Sequence, residues 1–217
     1  MGYVLNRPTY VMPTPAGAYR AAAAPAEGRL PSLVTALFGQ PESPLLAEST
    51  VSRWCDIADP QEALEFVWRL QELGWIQALE TPRSVPTGPI EDVLAELVPA
   101  LTRGGKSLLA DAHGFYLYSR GFPHEVAEEL SALSADLASL HQRRSRSLNA
   151  NLGMSGGAWG LVDAAGQSQL GFWPLFAGKQ RFVLVVAGTP TFNRPELVDL
   201  IWVLHQRYAA PNLAIPS

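Results

Sequence analysis

A Gly-x-Ser-x-Gly motif at residues 153–157, GMSGG, is the first place where the residue types could do chemistry. In α/β-hydrolases this motif presents a nucleophilic serine, here Ser155, and Asp199 and His205 follow it in the hydrolase order. The motif requires a strand before the serine and a helix after it, whereas here a helical pattern precedes it and a strand pattern follows. Asp199 and His205 also lie six residues apart on one predicted helix, so their side chains point to different sides. The sequence therefore argues against a serine hydrolase, which we keep only as a third alternative.

Three other features resemble chemical motifs but lack the required spacing or context. GGKS, residues 104–107, ends like a phosphate-binding P-loop, but the first glycine of that motif would fall at Ala100, and a helix leads into the segment instead of out of it. The four histidines have no metal-ligand spacing, and we predict that His113 is a turn residue. Cys55 is the only cysteine, which excludes an intrachain disulfide and a set of thiolate metal ligands. We therefore predict that the chain is not an enzyme and has no catalytic residue, no cofactor and no metal site.

The composition indicates what class of protein the chain is. The 217 residues are 47% hydrophobic and 17% charged, which is ample for packed cores. The net charge of −4 gives no electrostatic reason to expect nucleic acid or anionic lipid as a partner. The longest strong apolar run, FVLVVAG at residues 182–188, is far shorter than the roughly 20 residues that span a bilayer. Because the first residues also lack the pattern of a signal peptide, we expect a soluble cytoplasmic protein without membrane insertion.

Proline and glycine divide the chain into segments of different composition. Residues 1–28 are rich in Ala and Pro and are predicted to form a flexible arm. A small, mostly helical domain is predicted at 29–80, and a linker at 81–88 within the Pro-rich stretch ETPRSVPTGP. A second domain is predicted at 89–210, followed by a tail at 211–217. The sequence therefore predicts two domains.

The first domain has the pattern of a winged helix. Helices are predicted at 30–39, 48–58 and 60–74, followed by a short strand at 75–79, although a second wing strand is hard to find. The outward face of the third helix carries one glutamine, three acids and one arginine: Gln61, Glu62, Glu65, Arg69 and Glu72. Because DNA binding depends on several cations that neutralise phosphates, this face argues against nucleic acid as a partner and favours a protein-docking module. A winged-helix DNA-binding regulator, whose C-terminal domain dimerises or senses a ligand, stays the alternative.

The second domain alternates helix and strand patterns in the order α-β-β-α-β-β-β-α. We predict an α+β fold, a five-stranded antiparallel sheet with the long central helix on one face and the two terminal helices on the other. The long helix has a heptad seam: Val126, Leu130, Leu133, Leu137 and Leu140. Small residues beside the seam would let another helix approach, but a core helix could show the same pattern, and the periodicity alone does not separate the two.

Residues 88–208 resemble the Roadblock/LC7 family, which has a profilin-like fold with this element order. The resemblance lies in LLADAHGFYLYSRG, in the helix EVAEELSALSADLASL, and in LGFWPLFAGKQRFVLVVAG. It implies a non-catalytic homodimer that pairs through the third strand, residues 158–162, and the long helix, residues 126–140. It also implies a scaffold or regulator that binds a Ras-like small GTPase or a related signalling partner. The expected interface residues are Leu130, Leu133, Leu137, Leu140, Trp159 and Leu161.

Overall fold

The computed structural model describes residues 8–25, 28–153 and 156–209, and this part of the chain forms seven helices and seven strands. The strands are β1 (Tyr10–Pro13), β2 (Ile76–Leu79), β3 (Lys106–Asp111), β4 (Tyr116–Arg120), β5 (Trp159–Val162), β6 (Ser168–Ala177) and β7 (Gln180–Ala187). The helices are α1 (Pro15–Ala22), α2 (Arg29–Phe38), α3 (Glu48–Cys55), α4 (Pro60–Glu72), α5 (Ile90–Ala100), α6 (His124–Leu152) and α7 (Pro195–Tyr208). The predicted tail, residues 211–217, lies outside the described residues.

The second half of the chain forms a five-stranded antiparallel sheet with the strand order β4-β3-β7-β6-β5. Successive side chains of β7 point to opposite faces, as the strand geometry requires. Leu184 and Val186 join the core cluster that contains α5 and α7, whereas Val183 and Val185 join the cluster that contains residues of α6. The sheet is therefore covered on both faces, and the predicted α+β fold class is confirmed.

Small side chains bring α6 close to the sheet. Ala127, Ser131 and Ser134 are buried, and Ala138 packs against the same cluster, so residues spaced by three and four form the face towards the sheet. Ser131 and Ser134 donate their hydroxyl hydrogen bonds to backbone carbonyls one turn earlier, at 2.7 Å each, which satisfies them without a partner from the sheet. The periodicity left open whether the small residues face a second helix or the chain's own core, and Ala127 and Ser134 are buried on the side of α6 that faces the sheet of the same chain.

Helix α7 lies in a layer that is covered on both sides. Nine consecutive residues, Leu197 to His205, are buried. A helix that packs on one side only alternates buried and exposed residues, so this continuous burial means that α7 has neighbours on opposite faces. The sheet covers one face, and residues of β1, α1 and α2 join the same core cluster from the other.

The segment that we predicted as a flexible arm is ordered where the structure describes it. β1 pairs antiparallel with β2, with Tyr10 opposite Leu79 and Pro13 opposite Ile76. α1 then begins after Thr14, whose hydroxyl oxygen accepts a hydrogen bond from the Gly17 N–H, with Pro15 in the first turn. The arm prediction is therefore wrong for residues 10–22, because tertiary pairing with β2 orders a stretch that has few large side chains of its own.

Helices α2, α3 and α4 and strand β2 follow in the predicted order and enclose a second core. Val51, Cys55 and Ala63 are fully buried there. The strand that pairs with β2 is β1, which precedes the three helices in the sequence. A wing strand after β2 is absent from the described residues, so the winged-helix part of the prediction is not confirmed.

The two halves of the chain share one core instead of standing apart. Met12 and Phe38 from the first half belong to the same buried cluster as Leu184 and Trp202 from the second. The Trp202 indole N–H donates to the Gln40 carbonyl at 2.9 Å, and the Phe38 ring stacks on the indole with ring centroids 5.7 Å apart. Residues 80–89 contain no helix or long strand, as expected for a connection, but they are not a free linker, because Arg83 forms an ion pair with Asp199 of α7.

Candidate interaction surface

Strand β5 is one edge of the five-stranded sheet. It pairs with β6 through Trp159 opposite Phe172 and Leu161 opposite Leu170. Within the described residues no strand pairs with its other side, so the outward N–H and C=O groups are available to another strand. Leu161 is 51% exposed and Val162 63% exposed. An unpaired edge that carries exposed aliphatic side chains is a template for strand pairing with another chain.

A stripe of apolar side chains runs along α6 beside the face that packs on the sheet. Leu133 is 37% exposed and Leu140 36% exposed, and Val126 is exposed one heptad earlier. Leu130 and Leu137 flank this stripe and are half-buried against the sheet cluster. The heptad seam therefore faces partly away from the chain's own core, which is the property expected of a surface that packs on another helix.

Contacts at His141 join the stripe to the edge strand. The His141 ring lies 6.2 Å from the Trp159 ring in an edge-to-face arrangement. Trp159 and Leu161 are two residues apart on β5 and so share the face that α6 covers. We call the surface formed by Leu133, Leu140, Leu161 and the half-buried residues beside them the α6–β5 surface.

The six predicted interface residues thus divide into two groups. Leu133, Leu140 and Leu161 are exposed, whereas Leu130, Leu137 and Trp159 are partly buried against the sheet of the same chain. The prediction named Val162 only as the end of the pairing strand, although it is the most exposed aliphatic residue of β5. Val162 follows Leu161 on a short edge strand, so their side chains point to opposite faces, and this pattern in the sequence could have identified Val162 as a second exposed residue.

A tight turn fixes the end of the edge strand. The Asp163 carboxylate accepts hydrogen bonds from the N–H groups of Ala165 and Gln167, both at 2.9 Å, and from the Gln169 side chain at 2.8 Å. Gly166 follows with φ 79°, a conformation that glycine adopts without strain. The hydrogen bonds, led by the one from Gln167, lower the pKa of Asp163, because they stabilise the charged carboxylate. β5 is therefore held in register with β6 at neutral pH.

Comparison with known proteins gives matches among solved structures alone, since no family model and no curated protein matches the chain. A Roadblock/LC7 domain from Streptomyces avermitilis has 19% sequence identity and a TM-score of 0.37, covering 54% of this chain and 95% of its own. The gliding protein MglB from Thermus thermophilus has 19% identity and a TM-score of 0.37, covering 57% and 93%. MglB from Myxococcus xanthus has 17% identity and a TM-score of 0.29, covering 54% and 84%. Part of this chain is similar to Roadblock/LC7 domains.

The residues that resembled a catalytic triad have other partners where the structure describes them. Ser155 lies outside the described residues. Asp199 is bound to Arg83, and its burial raises its pKa. His205 is buried on α7, its Nδ1 lies 2.9 Å from the Ile201 carbonyl oxygen, and burial lowers its pKa. Asp199 thus links α7 to Arg83, whereas the His205 hydrogen bond stays within α7 and its ring meets the Phe38 ring of α2 edge-on, with centroids 5.5 Å apart.

The other motif-like residues also have structural roles. Ser107 is fully buried on β3, and a Cβ at Gly105 would lie 2.0 Å from the Ala187 carbonyl oxygen, so GGKS is a close strand contact and not a phosphate loop. His113 lies in the β3–β4 turn, where its N–H donates to the Asp111 carboxylate at 2.8 Å, which confirms the turn prediction. Among the described residues, no group of three or more His, Cys, Asp and Glu side chains could hold a metal ion. No helix in the described ranges is long and apolar enough to cross a membrane.

The outward face of α4 is acidic, as the sequence indicated. Gln61, Glu62 and Glu72 are exposed, and Glu65 is half-buried. The Arg69 guanidinium on this face is bound by the Glu65 carboxylate, and Arg29 from α2 is bound by Glu62 at 2.9 Å. The cations near this face are therefore already paired with acids, which does not favour phosphate binding.

Proposed function

We propose that the chain is a non-catalytic scaffold or regulator that forms a homodimer through the α6–β5 surface and presents this platform to a Ras-like small GTPase or a related signalling partner. We also propose that it acts in the cytoplasm and needs no cofactor. The dimer is the part of the proposal that the geometry supports directly. The GTPase follows from the sequence resemblance to the Roadblock/LC7 family.

The observation that carries the dimer is the unpaired β5 edge beside an exposed apolar stripe. Joining two β5 edges antiparallel would satisfy the outward backbone groups of both strands and continue the sheet across the two chains. The same arrangement would bury Leu133, Leu140 and Leu161, whose exposure in the single chain is otherwise unfavourable. An apolar patch next to an open strand edge is typical of a specific interface.

The absence of an assembled reactive group in the described part supports a non-catalytic role. Asp199 and His205, the two ionisable residues whose motif resembled a hydrolase, are engaged inside the core. The thiol of Cys55 is buried, and burial raises its pKa to about 12, so it is protonated at neutral pH and a poor nucleophile.

Light scattering after size-exclusion chromatography tests the dimer. We expect the wild-type chain to have twice its monomer mass at micromolar concentration. The substitutions Leu133→Asp and Leu161→Asp should each shift the mass towards the monomer, because each places a charge in the interface. Leu73→Asp is the matched control, since Leu73 is 59% exposed but lies in the first half of the chain. A wild-type chain that is strictly monomeric under these conditions would show that the homodimer proposal is wrong.

Binding to a small GTPase is tested separately, by pull-down with a GTPase from the same genome loaded with GTP or with GDP. We expect nucleotide-dependent retention by the wild-type chain and no shift of duplex DNA in a parallel gel assay. If the chain is a dimer but binds the GTPase in neither nucleotide state, the proposed GTPase partner is wrong and the proposal of a dimeric scaffold stands. A sequence-dependent DNA shift would favour the winged-helix regulator instead.

A further inference from the structure

The last three turns of α6 continue beyond the residues that pack on the sheet. His141 lies against the Trp159 ring, and residues 142–152 extend the helix by about 16 Å more. All of these residues are exposed except Leu148, which is half-buried. We call residues 142–152 the projecting segment. Because the segment buries little side-chain surface, few contacts hold it in the helical conformation.

The residues of the projecting segment also favour the helix only weakly. Serine and asparagine have lower helix propensity than alanine, since their side chains compete for backbone hydrogen bonds. These residues occupy every second position of the segment: Ser145, Ser147, Asn149 and Asn151. The Ser145 hydroxyl, for example, donates to the Gln142 carbonyl at 3.1 Å. The end of α6 can therefore unfold locally while the rest of the helix stays packed on the sheet.

The projecting segment is strongly basic. It carries three exposed arginines, and residues 137–162 contain no Asp or Glu: Arg143, Arg144 and Arg146. In the part of the chain that the structure describes, none of these arginines forms an ion pair. Ser147 follows Arg144 by three residues and Arg143 by four. An exposed hydroxyl thus lies just after two guanidinium groups that are available to an acidic partner.

We propose that Ser147 is a phosphorylation site for a serine/threonine kinase whose acidic substrate groove selects arginine three residues before the serine. The γ-phosphoryl group of ATP is transferred to Ser147 Oγ. The bond from the γ-phosphorus to the bridging oxygen breaks, ADP leaves with the electron pair, and the hydroxyl proton passes to the base of the kinase. This inference is independent of the homodimer and the GTPase partner proposed above.

Ser32 shows why the structure, and not the spacing alone, selects Ser147. It is the only other serine or threonine in the chain with an arginine three residues before it, Arg29. The Arg29 guanidinium is bound by the Glu62 carboxylate at 2.9 Å, and Leu33 and Val34 beside Ser32 are buried in the core. A kinase would have to break this ion pair and lift α2 from the core, so we expect Ser32 to remain unmodified.

Phosphorylation would change the charge of the projecting segment. A phosphoserine carries a charge of about −1.5 to −2 at neutral pH, so the net charge of the segment would fall from +3 to about +1. Residues three and four apart share a helix face, and the phosphate could therefore pair with Arg144 and Arg143. An acidic partner held by these arginines would then be released, which makes the site an electrostatic switch.

Phosphorylation of the full chain tests the site. The probe is γ-labelled ATP with Mg²⁺ and a purified serine/threonine kinase whose peptide substrates require arginine three residues before the serine. We expect one main site, which fragmentation mass spectrometry identifies as Ser147. Ser147→Ala should abolish the incorporation, Arg144→Ala should slow it about tenfold, and the matched control Ser32→Ala should leave it unchanged. Main incorporation at Ser32 or Ser145, or a rate that does not depend on Arg144, would overturn the proposal.

The role of local unfolding is tested by strengthening the helix. Asn149→Ala with Asn151→Ala should slow phosphorylation of the chain at least about threefold, because alanine favours the helical conformation. A peptide of residues 140–152 is too short to form a stable helix, so the same substitutions in it should leave the rate unchanged. Equal slowing of chain and peptide would overturn the role of unfolding. Phosphorylation of the peptide but not of the chain would show that α6 withholds Ser147 and would overturn the site.

Discussion

Replacing Gly17 by Ala should destabilise the protein, although Ala is the better helix former. Gly17 lies in α1, where its position is packed against the junction between α4 and β2. A Cβ there would lie 1.8 Å from the Trp75 carbonyl oxygen and 2.6 Å from the carbonyl carbon. Both are backbone atoms, so no side-chain rotation can relieve the contact.

Three contributions set the size of the effect. The helix propensity of Ala over Gly favours the variant by about 1 kcal/mol. Overpacking against a rigid neighbour costs about 1–3 kcal/mol, and contact with backbone places this case at the upper end. Movement of α1 would also weaken the hydrogen bond from the Thr14 N–H to the Trp75 carbonyl, 3.0 Å long, which is worth about 1 kcal/mol. The expected net loss in the free energy of unfolding is about 2–3 kcal/mol.

The assay is urea unfolding followed by circular dichroism and tryptophan fluorescence, with the slope of the transition compared between variants. Ala16→Gly is the control, because Ala16 is the exposed neighbour in α1 and its substitution should cost about 1 kcal/mol through helix propensity alone. If residues 10–22 were a flexible arm, both variants would match wild type. A Gly17→Ala variant as stable as wild type, or more stable, would refute the packing of α1 on Trp75.

Three further outcomes follow from the core and the turns. Burial raises the pKa of Asp199, so the wild type should lose stability relative to Asp199→Asn as pH rises from about 4 through the raised pKa, and should then level off. Urea unfolding of both proteins across this range checks the sign, and a relative gain by the wild type would contradict it. Phe38→Ala should cost about 3–5 kcal/mol and shift the fluorescence of Trp202, because the ring is 1% exposed and stacks on that indole; a loss below 1 kcal/mol would argue against the shared core. Asp111→Ala should cost about 1 kcal/mol by removing the acceptor for the N–H groups of His113 and Phe115, and an unchanged urea midpoint would show that the turn does not depend on it.

The five-stranded sheet could be predicted because its signals are local. The predicted order of helices and strands in the second half is the order that the structure has, and the turns after β5 and after β6 contain Gly166 and Gly178, where φ is positive. Helix α6 continues beyond the last seam residue, Leu140, to Leu152, and ends at Gly153, which adopts φ 64°. The run of arginine and serine before that glycine carries no clear helix stop.

The first half could be predicted only in part, because some of its order depends on distant residues. β1 has its partner more than sixty residues later in the chain, so its pattern alone did not identify it. α1 had local signals in Thr14 and Pro15, but a short Ala-rich helix is stable only through its packing, and nothing near it in sequence indicates Trp75. The Pro-rich stretch contains no helix, as its prolines indicated. Nothing near it in sequence indicated that Arg83 would form an ion pair with Asp199 of α7.

The candidate surface shows how far periodicity can identify exposed residues. A heptad of leucines indicates one apolar stripe, but it does not say which side of that stripe faces the chain's own sheet. In the structure, the side of α6 that faces the sheet is the one with the small residues Ala127, Ser131 and Ala138, because their size allows the helix to approach closely. Leu130 and Leu137, on the side of the stripe nearer the sheet, are therefore half-buried, and Leu133 and Leu140 are exposed.

The covering of α7 by the first half of the chain gives the proposed assembly two unlike sides. Two chains joined at β5 about an axis normal to the sheet would carry both α6 helices on one side and both N-terminal halves on the other. A molecule recognised by the helical side would be separated from one recognised by the acidic α4 face by the whole thickness of the sheet. Such a dimer could hold two different partners simultaneously without competition between them.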